Sequence, residues 1–275
     1  MAQDRSQLPA AQPELSRPNP VRRSDRAWTW GLIAALAALA TFFFIHTPPG
    51  FWNKLMAVGS AVCHQDPAHS FLVYGRQIPL CARCIGMYLG ALLSLVFHFQ
   101  RGKLGSLPPR KMVIPLGLLF LAFAVDGLNS WAASLGTGWN LYETTNLTRL
   151  ITGTGAGLVI GAVLAPIFNQ TAWASWVKAS ALPNGKKFAV LLAAAAVIIL
   201  AVYASPQALR YPAAILSVLG VLVVLCLAYT TLALIILNRE YIANSLRDLL
   251  LPLLVGMLMA FLQISFFAFL RIYFL

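Results

Sequence analysis

Seven long apolar stretches dominate this chain of 275 residues and restrict it to a membrane-spanning fold. Each stretch approaches or reaches the roughly 20 residues that a helix needs to cross a hydrocarbon core of about 30 Å. The predicted fold class is therefore all-α, a polytopic transmembrane helix bundle. We expect the spans at about 28–46, 81–99, 112–135, 147–168, 188–205, 211–237 and 249–273.

The composition agrees with this class and bears on the partners. Hydrophobic residues make up 59% of the chain and charged residues only 10%, which excludes an ordinary soluble domain. The net charge of +12 comes mainly from Lys and Arg in the short links between apolar runs, where they set orientation and meet lipid headgroups. No basic stripe with interleaved aromatic residues lies outside the spans. The lipid bilayer is the expected partner, and nucleic acid is not.

The spans divide the chain into three predicted parts. Residues 1–27 form a polar, Pro- and Arg-rich tail, for which we expect disorder on the cytoplasmic side. Residues 28–168 form a membrane module with polar residues, and residues 169–275 add about three spans that contain little polar chemistry. Between the first two spans, segment 47–80 is mixed in character. Its stretch 51–62 is too short to span and predicts an interfacial or re-entrant helix.

The positive charges predict the orientation. With a cytoplasmic N-terminus, fourteen of the 20 Lys and Arg residues fall on the inner side. This asymmetry predicts a protein of the cell membrane with its N-terminus inside and segment 47–80 outside the cytoplasm. The first apolar run is longer than a signal core and no cleavage pattern follows it, so we interpret it as an anchor. The six cations assigned to the outer side are Lys54, Arg76, Arg83, Arg149, Arg210 and Arg271.

Three of the four cysteines lie with a histidine inside 22 positions, in the predicted extracytoplasmic loop and at the mouth of the second span. The members are Cys63, His64, Cys81 and Cys84. Three thiolates and an imidazole make a tetrahedral ligand set for zinc, and the loop between the two cysteine motifs has a length typical of zinc ribbons. A Cys-x-x-Cys motif at a helix N-terminus, with Arg83 inside it, favours thiolates. These four residues are the predicted metal ligands.

Other chemistries remain open for the same cysteines. An extracytoplasmic position favours oxidation, so a structural disulfide is one alternative, although one cysteine of the cluster would be left over. A thiol–disulfide oxidoreductase that uses Cys81-x-x-Cys84 against a membrane quinone is another. A transporter or chaperone for a soft metal is a third. Four bound ligands would close the coordination shell and favour a structural role. Cys226 lies in the middle of a span and is expected to be a core residue.

Polar residues inside the third and fourth spans predict a second feature. Asp126 lies in the outer half of the third span, where a carboxylate is costly unless it is paired or hydrated. We expect Arg149 to be its partner and Asn129 to share its helix face. With Asn146, these residues predict a polar pocket beneath the cysteines that binds a headgroup or relays protons; the plainer alternative is an ion pair that locks two spans. The candidates for a catalytic role are Asp126, Arg149, Cys81 and Cys84.

Small residues predict close helix packing near the same place. Gly86 and Gly90 follow the Cys-x-x-Cys motif at a spacing of four, and Gly153, Gly157 and Gly161 repeat that spacing in the fourth span. Such faces let two helices approach closely. They are also where we expect a homo-oligomer or a membrane partner to bind.

These motifs together resemble one family. Cys63-His64-Gln65, Ser70-Phe71, Gln77-x-Pro79 and Cys81-x-Arg83-Cys84-x-Gly86 are similar to the domain of unknown function 2085 family of bacterial and archaeal membrane proteins. Asp126-Gly127 and Thr145-Asn146-x-x-Arg149-x-x-Thr152-Gly153-x-x-x-Gly157 continue the resemblance, which covers about residues 55–165. It implies a module of three helices with a Cys/His-rich loop and implies no established activity. It also ties Asp126, Asn146 and Arg149 to the cysteines, whereas Asn129 stands where the family pattern has Gln.

Overall fold

The computed structural model describes residues 23–136, 141–204 and 206–274, and within them the chain folds as a bundle of α-helices. All the helices except α2 are long and apolar enough to cross a membrane, which makes seven candidate spans. Each predicted span overlaps one of them, so the all-α polytopic prediction is confirmed. The predicted disordered tail lies outside the described residues as far as position 22. The helices are α1 Arg23–His46, α2 Phe51–Ser60, α3 Ala82–Phe99, α4 Arg110–Ser134, α5 Asn146–Ala172, α6 Gly185–Tyr203, α7 Gln207–Ile236 and α8 Leu250–Phe274.

The segment between α1 and α3 is folded rather than extended. After α2 come a 3-10 turn, Pro67–His69, and an antiparallel hairpin of β1, Leu72–Val73, and β2, Arg76–Gln77. The two turn residues, Tyr74 and Gly75, have φ values of 50° and 76°, as a tight two-residue hairpin turn requires. The helix predicted within 51–62 is confirmed, and its interfacial position stays a prediction. We call the end of the bundle that carries α2, the hairpin and the three clustered cysteines the cysteine end.

Glycines bring α3 and α5 into backbone contact. A Cβ on Gly86 would lie 2.4 Å from the Leu150 carbonyl oxygen, and one on Gly157 would lie 2.1 Å from that of Met87. Such distances exclude any side chain, so the predicted close packing is confirmed. The glycine faces for which we expected a second copy or membrane partner are filled by these two helices of the same chain. The other glycines of this contact are Gly90, Gly153 and Gly161.

Apolar residues anchor the cysteine end on the bundle. Ile78 and Leu80, which lead into α3, are completely buried, and they pack in one cluster with Ile85 and Leu150. Burying an aliphatic side chain of this size stabilises a fold by about 1.5–3 kcal/mol. Helix α7 packs on α3 and α8, and α8 also packs on α1 and α2. The loop that carries Cys63 is therefore held between the α3–α5 pair and the last two helices.

Candidate metal centre at the cysteine end

Three thiols meet at one point of the cysteine end. The Sγ atoms of Cys63, Cys81 and Cys84 all lie within 4.8 Å of one another. Cys63 follows α2, Cys81 is the N-cap residue of α3, and Cys84 lies in the first turn of that helix. All four cysteines of the chain are free. Since zinc–thiolate bonds measure about 2.3 Å, a small inward movement of these three sulfurs suffices to hold one metal ion.

Hydrogen bonds among the sulfur atoms shift the pKa values of Cys81 and Cys63 in opposite directions. Cys63 Sγ accepts the backbone N–H groups of Gln65, at 3.4 Å, and Cys81, at 3.2 Å. The pKa of the Cys81 thiol is lowered, chiefly by its hydrogen bonds with Cys63 and Cys84. The hydrogen bond with Cys81 raises the pKa of Cys63 to about 11. Cys81 also lies at the amino end of α3, where the helix dipole favours an anion.

Two glutamines tie the loop around Cys63. Gln65 Nε2 donates to the carbonyl oxygens of Met56, at 2.8 Å, and Pro79, at 2.7 Å. Gln77 Nε2 donates to the Gln65 carbonyl oxygen at 2.6 Å and to Ser70 Oγ at 3.0 Å. Both glutamines therefore connect the start of the loop to its end. The polar residues of the sequence motif around Cys63 build the loop and leave the sulfurs facing one another.

An arginine from the last helix also holds this loop. Arg271 in α8 donates from Nη1 to the Cys63 carbonyl oxygen at 2.7 Å and from Nη2 to the His64 carbonyl oxygen. Sequence reasoning counted Arg271 only as an outer charge. No local pattern signals the contact, because 208 residues separate Arg271 from Cys63.

The two histidines near the cluster lie apart from the three thiols. His64, the predicted fourth ligand, is exposed, and among the described residues the group within metal-binding distance consists of the three cysteines. Coordination by His64 therefore stays a prediction. His69 Nδ1 lies 3.1 Å from Asp66 Oδ2. Burial and the positive charge of Arg149 lower the pKa of His69, against the opposing effect of Asp66.

Asp126 pairs with Arg83 instead of Arg149, so that predicted pairing is wrong. Arg83 Nε donates to Asp126 Oδ2 at 3.0 Å, and its Nη2 also donates to this carboxylate. The carboxylate, which is completely buried, accepts further hydrogen bonds from Tyr142 Oη at 2.9 Å and Thr152 Oγ1 at 3.2 Å. The physical reason is that Arg83 extends from the first turn of α3 toward α4. The arginine inside the Cys-x-x-Cys motif thus links the thiols to the buried carboxylate.

Arg149 lies beside the cluster in a different role. It is buried at the start of α5, and its Nη2 donates to Thr144 Oγ1 at 2.6 Å. Its guanidinium lies within electrostatic range of Arg83, Asp126 and Cys81. Because Arg83 is paired with Asp126, Arg149 is a cation of this region that forms no ion pair among the described residues.

The two asparagines of the predicted pocket differ in their bonding. Asn129 is buried and fixes the link after α4, because its side chain donates to the Tyr142 carbonyl oxygen and accepts the Leu141 N–H. Asn146 Oδ1 is buried without a hydrogen-bond partner in the described part of the chain. The structure thus shows a hydrogen-bonded polar network below the thiols, and an open pocket among these residues stays a prediction.

Comparisons with known proteins cover this same region. Residues 63–163 match the model of a family described as "Predicted membrane protein (DUF2085)". An uncharacterised protein of Methanocaldococcus jannaschii is 33% identical over 136 residues, which are 47% of this chain and 81% of that protein. An uncharacterised protein of Methanothermobacter thermautotrophicus is 31% identical over 109 residues, 40% of this chain and 88% of that protein. No solved structure matches the chain.

Proposed function

The chain belongs to the DUF2085 family of predicted membrane proteins, and we propose that it is a multi-pass membrane protein that binds one divalent metal ion, zinc, through Cys63, Cys81 and Cys84. The observation that carries this proposal is the convergence of three thiols within 4.8 Å. Thiolate ligands select zinc and other soft or borderline cations over magnesium or calcium.

The surrounding charge favours a divalent ion over a monovalent one. Three thiolates and a divalent cation together carry one negative charge. One positive charge is available to balance it, because Arg149 lies within electrostatic range of Cys81 while Arg83 is paired with Asp126. A monovalent ion on the same ligands would leave a second negative charge unbalanced, which is costly where water is largely excluded.

The metal's role in this proposal is to fasten the loop to α3. Cys63 belongs to the loop, while Cys81 and Cys84 begin the helix, so one ion joins the two. The same helical turn presents Arg83 to Asp126, and the ion therefore fixes the loop beside the buried polar network. The fourth ligand is either His64, after a movement of its side chain, or a water molecule. The charge asymmetry between the links supports an extracytoplasmic position for the site.

Metal content of cysteine variants tests the proposal. The full-length protein, purified in detergent without chelators, is expected to contain about one zinc per chain. Cys63, Cys81 and Cys84 are each replaced by serine in separate variants. Each replacement is expected to weaken zinc binding by more than the roughly 10–100-fold loss that follows when a residue hydrogen-bonded to a metal ligand is replaced. Cys226→Ser is the matched control, because that cysteine is buried in α7, away from the group, and should keep the metal.

Two results would contradict the proposal. The first is full zinc content in Cys81→Ser. The second is a metal-free wild-type protein in which two of the clustered thiols form a disulfide that a quinone re-forms after reduction. The second result would instead support the thiol–disulfide oxidoreductase alternative.

A further inference from the structure

The cations at the cysteine end differ in what they bind. Six cations were assigned to this side of the protein. The side chains of five of them donate hydrogen bonds, mostly to backbone carbonyl oxygens. In the described part of the chain, Arg76 alone among the six has neither a side-chain hydrogen bond nor an ion pair, and it is exposed. The engaged cations are Lys54 with Phe44 and Thr47, Arg83 with Asp126, Arg149 with Thr144, Arg210 with Val202 and Tyr203, and Arg271 with Cys63 and His64.

Arg76 lines two adjoining cavities of about 220 and 320 Å³. Trp52 also lines both cavities, so the side chains of Arg76 and Trp52 lie between the two cavities. Tyr74 and Tyr211 complete the aromatic wall of the smaller cavity. The rings of Trp52 and Tyr211 stack with their centroids 5.1 Å apart and their planes 21° apart. The unpaired guanidinium is therefore set among three amphipathic aromatic rings.

Two hydrogen bonds hold these walls in place. Trp52 Nε1 donates to the Gln77 carbonyl oxygen at 3.0 Å, which joins α2 to the hairpin. The Tyr74 N–H donates to Gln207 Oε1 at 2.6 Å, which joins the hairpin turn to the start of α7. Tyr74 also keeps a positive φ of 50°, a conformation that costs a residue other than glycine about 1–3 kcal/mol. Separate elements thus converge on the position of Arg76.

The chemistry of the walls indicates the ligand. A guanidinium with all of its donors free matches the oxygens of a phosphate group, to which it donates paired hydrogen bonds. Tryptophan and tyrosine concentrate where helices meet lipid headgroups. The cavities lie at the end of the spanning helices, beside α2. We propose that Arg76, Trp52, Tyr74 and Tyr211 form a binding site for the phosphate of an anionic lipid headgroup. This inference is independent of the metal site.

Lipid retention in the intact protein tests this site. Native mass spectrometry of the full chain, released from nanodiscs of mixed phosphatidylglycerol and phosphatidylcholine, counts the lipids that stay bound. Arg76→Gln is expected to reduce retained phosphatidylglycerol at least fivefold and to leave phosphatidylcholine unchanged, because the choline cation neutralises the phosphate of phosphatidylcholine. The matched control is Arg239→Gln, which removes another exposed cation without a side-chain partner among the described residues, beyond α7 at the opposite end.

The possible outcomes are decisive. A loss confined to Arg76→Gln supports the site. If added inorganic phosphate displaces the phosphatidylglycerol, recognition of phosphate is supported, and a soluble phosphate compound becomes a second candidate ligand. Unchanged retention in Arg76→Gln, or an equal loss in Arg239→Gln, overturns the proposal. Phosphatidylcholine retention in the same spectra checks that the variant is folded. Folding should persist, because the exposed Arg76 side chain makes no hydrogen bond among the described residues.

Discussion

Asp126→Ala is expected to lower the free energy of unfolding by about 3–5 kcal/mol, the usual cost of removing one partner of a buried ion pair. The Asp126 side chain is completely buried and accepts from Arg83, Tyr142 and Thr152. Its removal leaves the Arg83 charge without a carboxylate and the Tyr142 hydroxyl without its acceptor, while Thr152 Oγ1 still donates to the Thr148 carbonyl oxygen at 2.9 Å. Unfolding in mixed detergent micelles measures the change.

The controls for this prediction separate the ion pair from a general effect of losing an acidic residue. Asp248→Ala removes a carboxylate that caps the backbone N–H groups of Asn244 and Ser245 outside the spanning helices, and should cost about 1 kcal/mol. Combining Asp126→Leu with Arg83→Met removes both charges and should recover most of the lost stability. A cost in Asp126→Ala no greater than that in Asp248→Ala would show that the pair does not stabilise the bundle.

Gly157→Ala is expected to cost about 3 kcal/mol or more. The added Cβ would lie 2.1 Å from the Met87 carbonyl oxygen and 2.6 Å from the Ala91 nitrogen. Overpacking a core costs about 1–3 kcal/mol when flexible side chains give way. Here the obstacle is the backbone of α3, so relief requires that α3 and α5 separate. The same unfolding assay measures the loss.

Gly117→Ala supplies the matched control. Gly117 lies in α4, and a Cβ at that position meets nothing within 4 Å. The substitution should be neutral or raise stability by up to about 1 kcal/mol through helix propensity. Similar losses in the two variants would mean that the close approach of α3 and α5 does not determine the cost.

The membrane fold was predictable from the sequence because its strongest signals are local. An apolar run of the right length specifies a span without reference to any other part of the chain. Close packing at the glycine faces of α3 and α5 was also predictable, since Gly86 and Gly157 each belong to a repeat of small residues, but that the two faces meet each other was not. The meeting of Cys63 with Cys81 and Cys84 followed from their spacing and chemistry.

The parts that escaped prediction depend on which helix faces meet. Arg149 was expected to pair with Asp126 because both lie at similar depth, but Arg83 reaches the carboxylate from α3. The bond from Arg271 to the Cys63 carbonyl oxygen joins distant parts of the chain and leaves no local trace. His64 is exposed, as neighbouring side chains in a non-helical segment tend to diverge, and its coordination of a metal stays a prediction. The hairpin was missed because strands of two residues carry almost no pattern.

X-ray absorption at the zinc edge of the purified wild-type protein tests the metal site most directly. Binding by Cys63, Cys81 and Cys84 predicts three sulfur neighbours at about 2.3 Å and one nitrogen or oxygen neighbour at about 2.0–2.1 Å. Loss of the nitrogen signal in His64→Ala would identify that neighbour as the imidazole, and its persistence would identify water or another ligand. A zinc ion with fewer than three sulfur neighbours, or a protein that binds no metal while two of these cysteines form a disulfide, would contradict the proposed site.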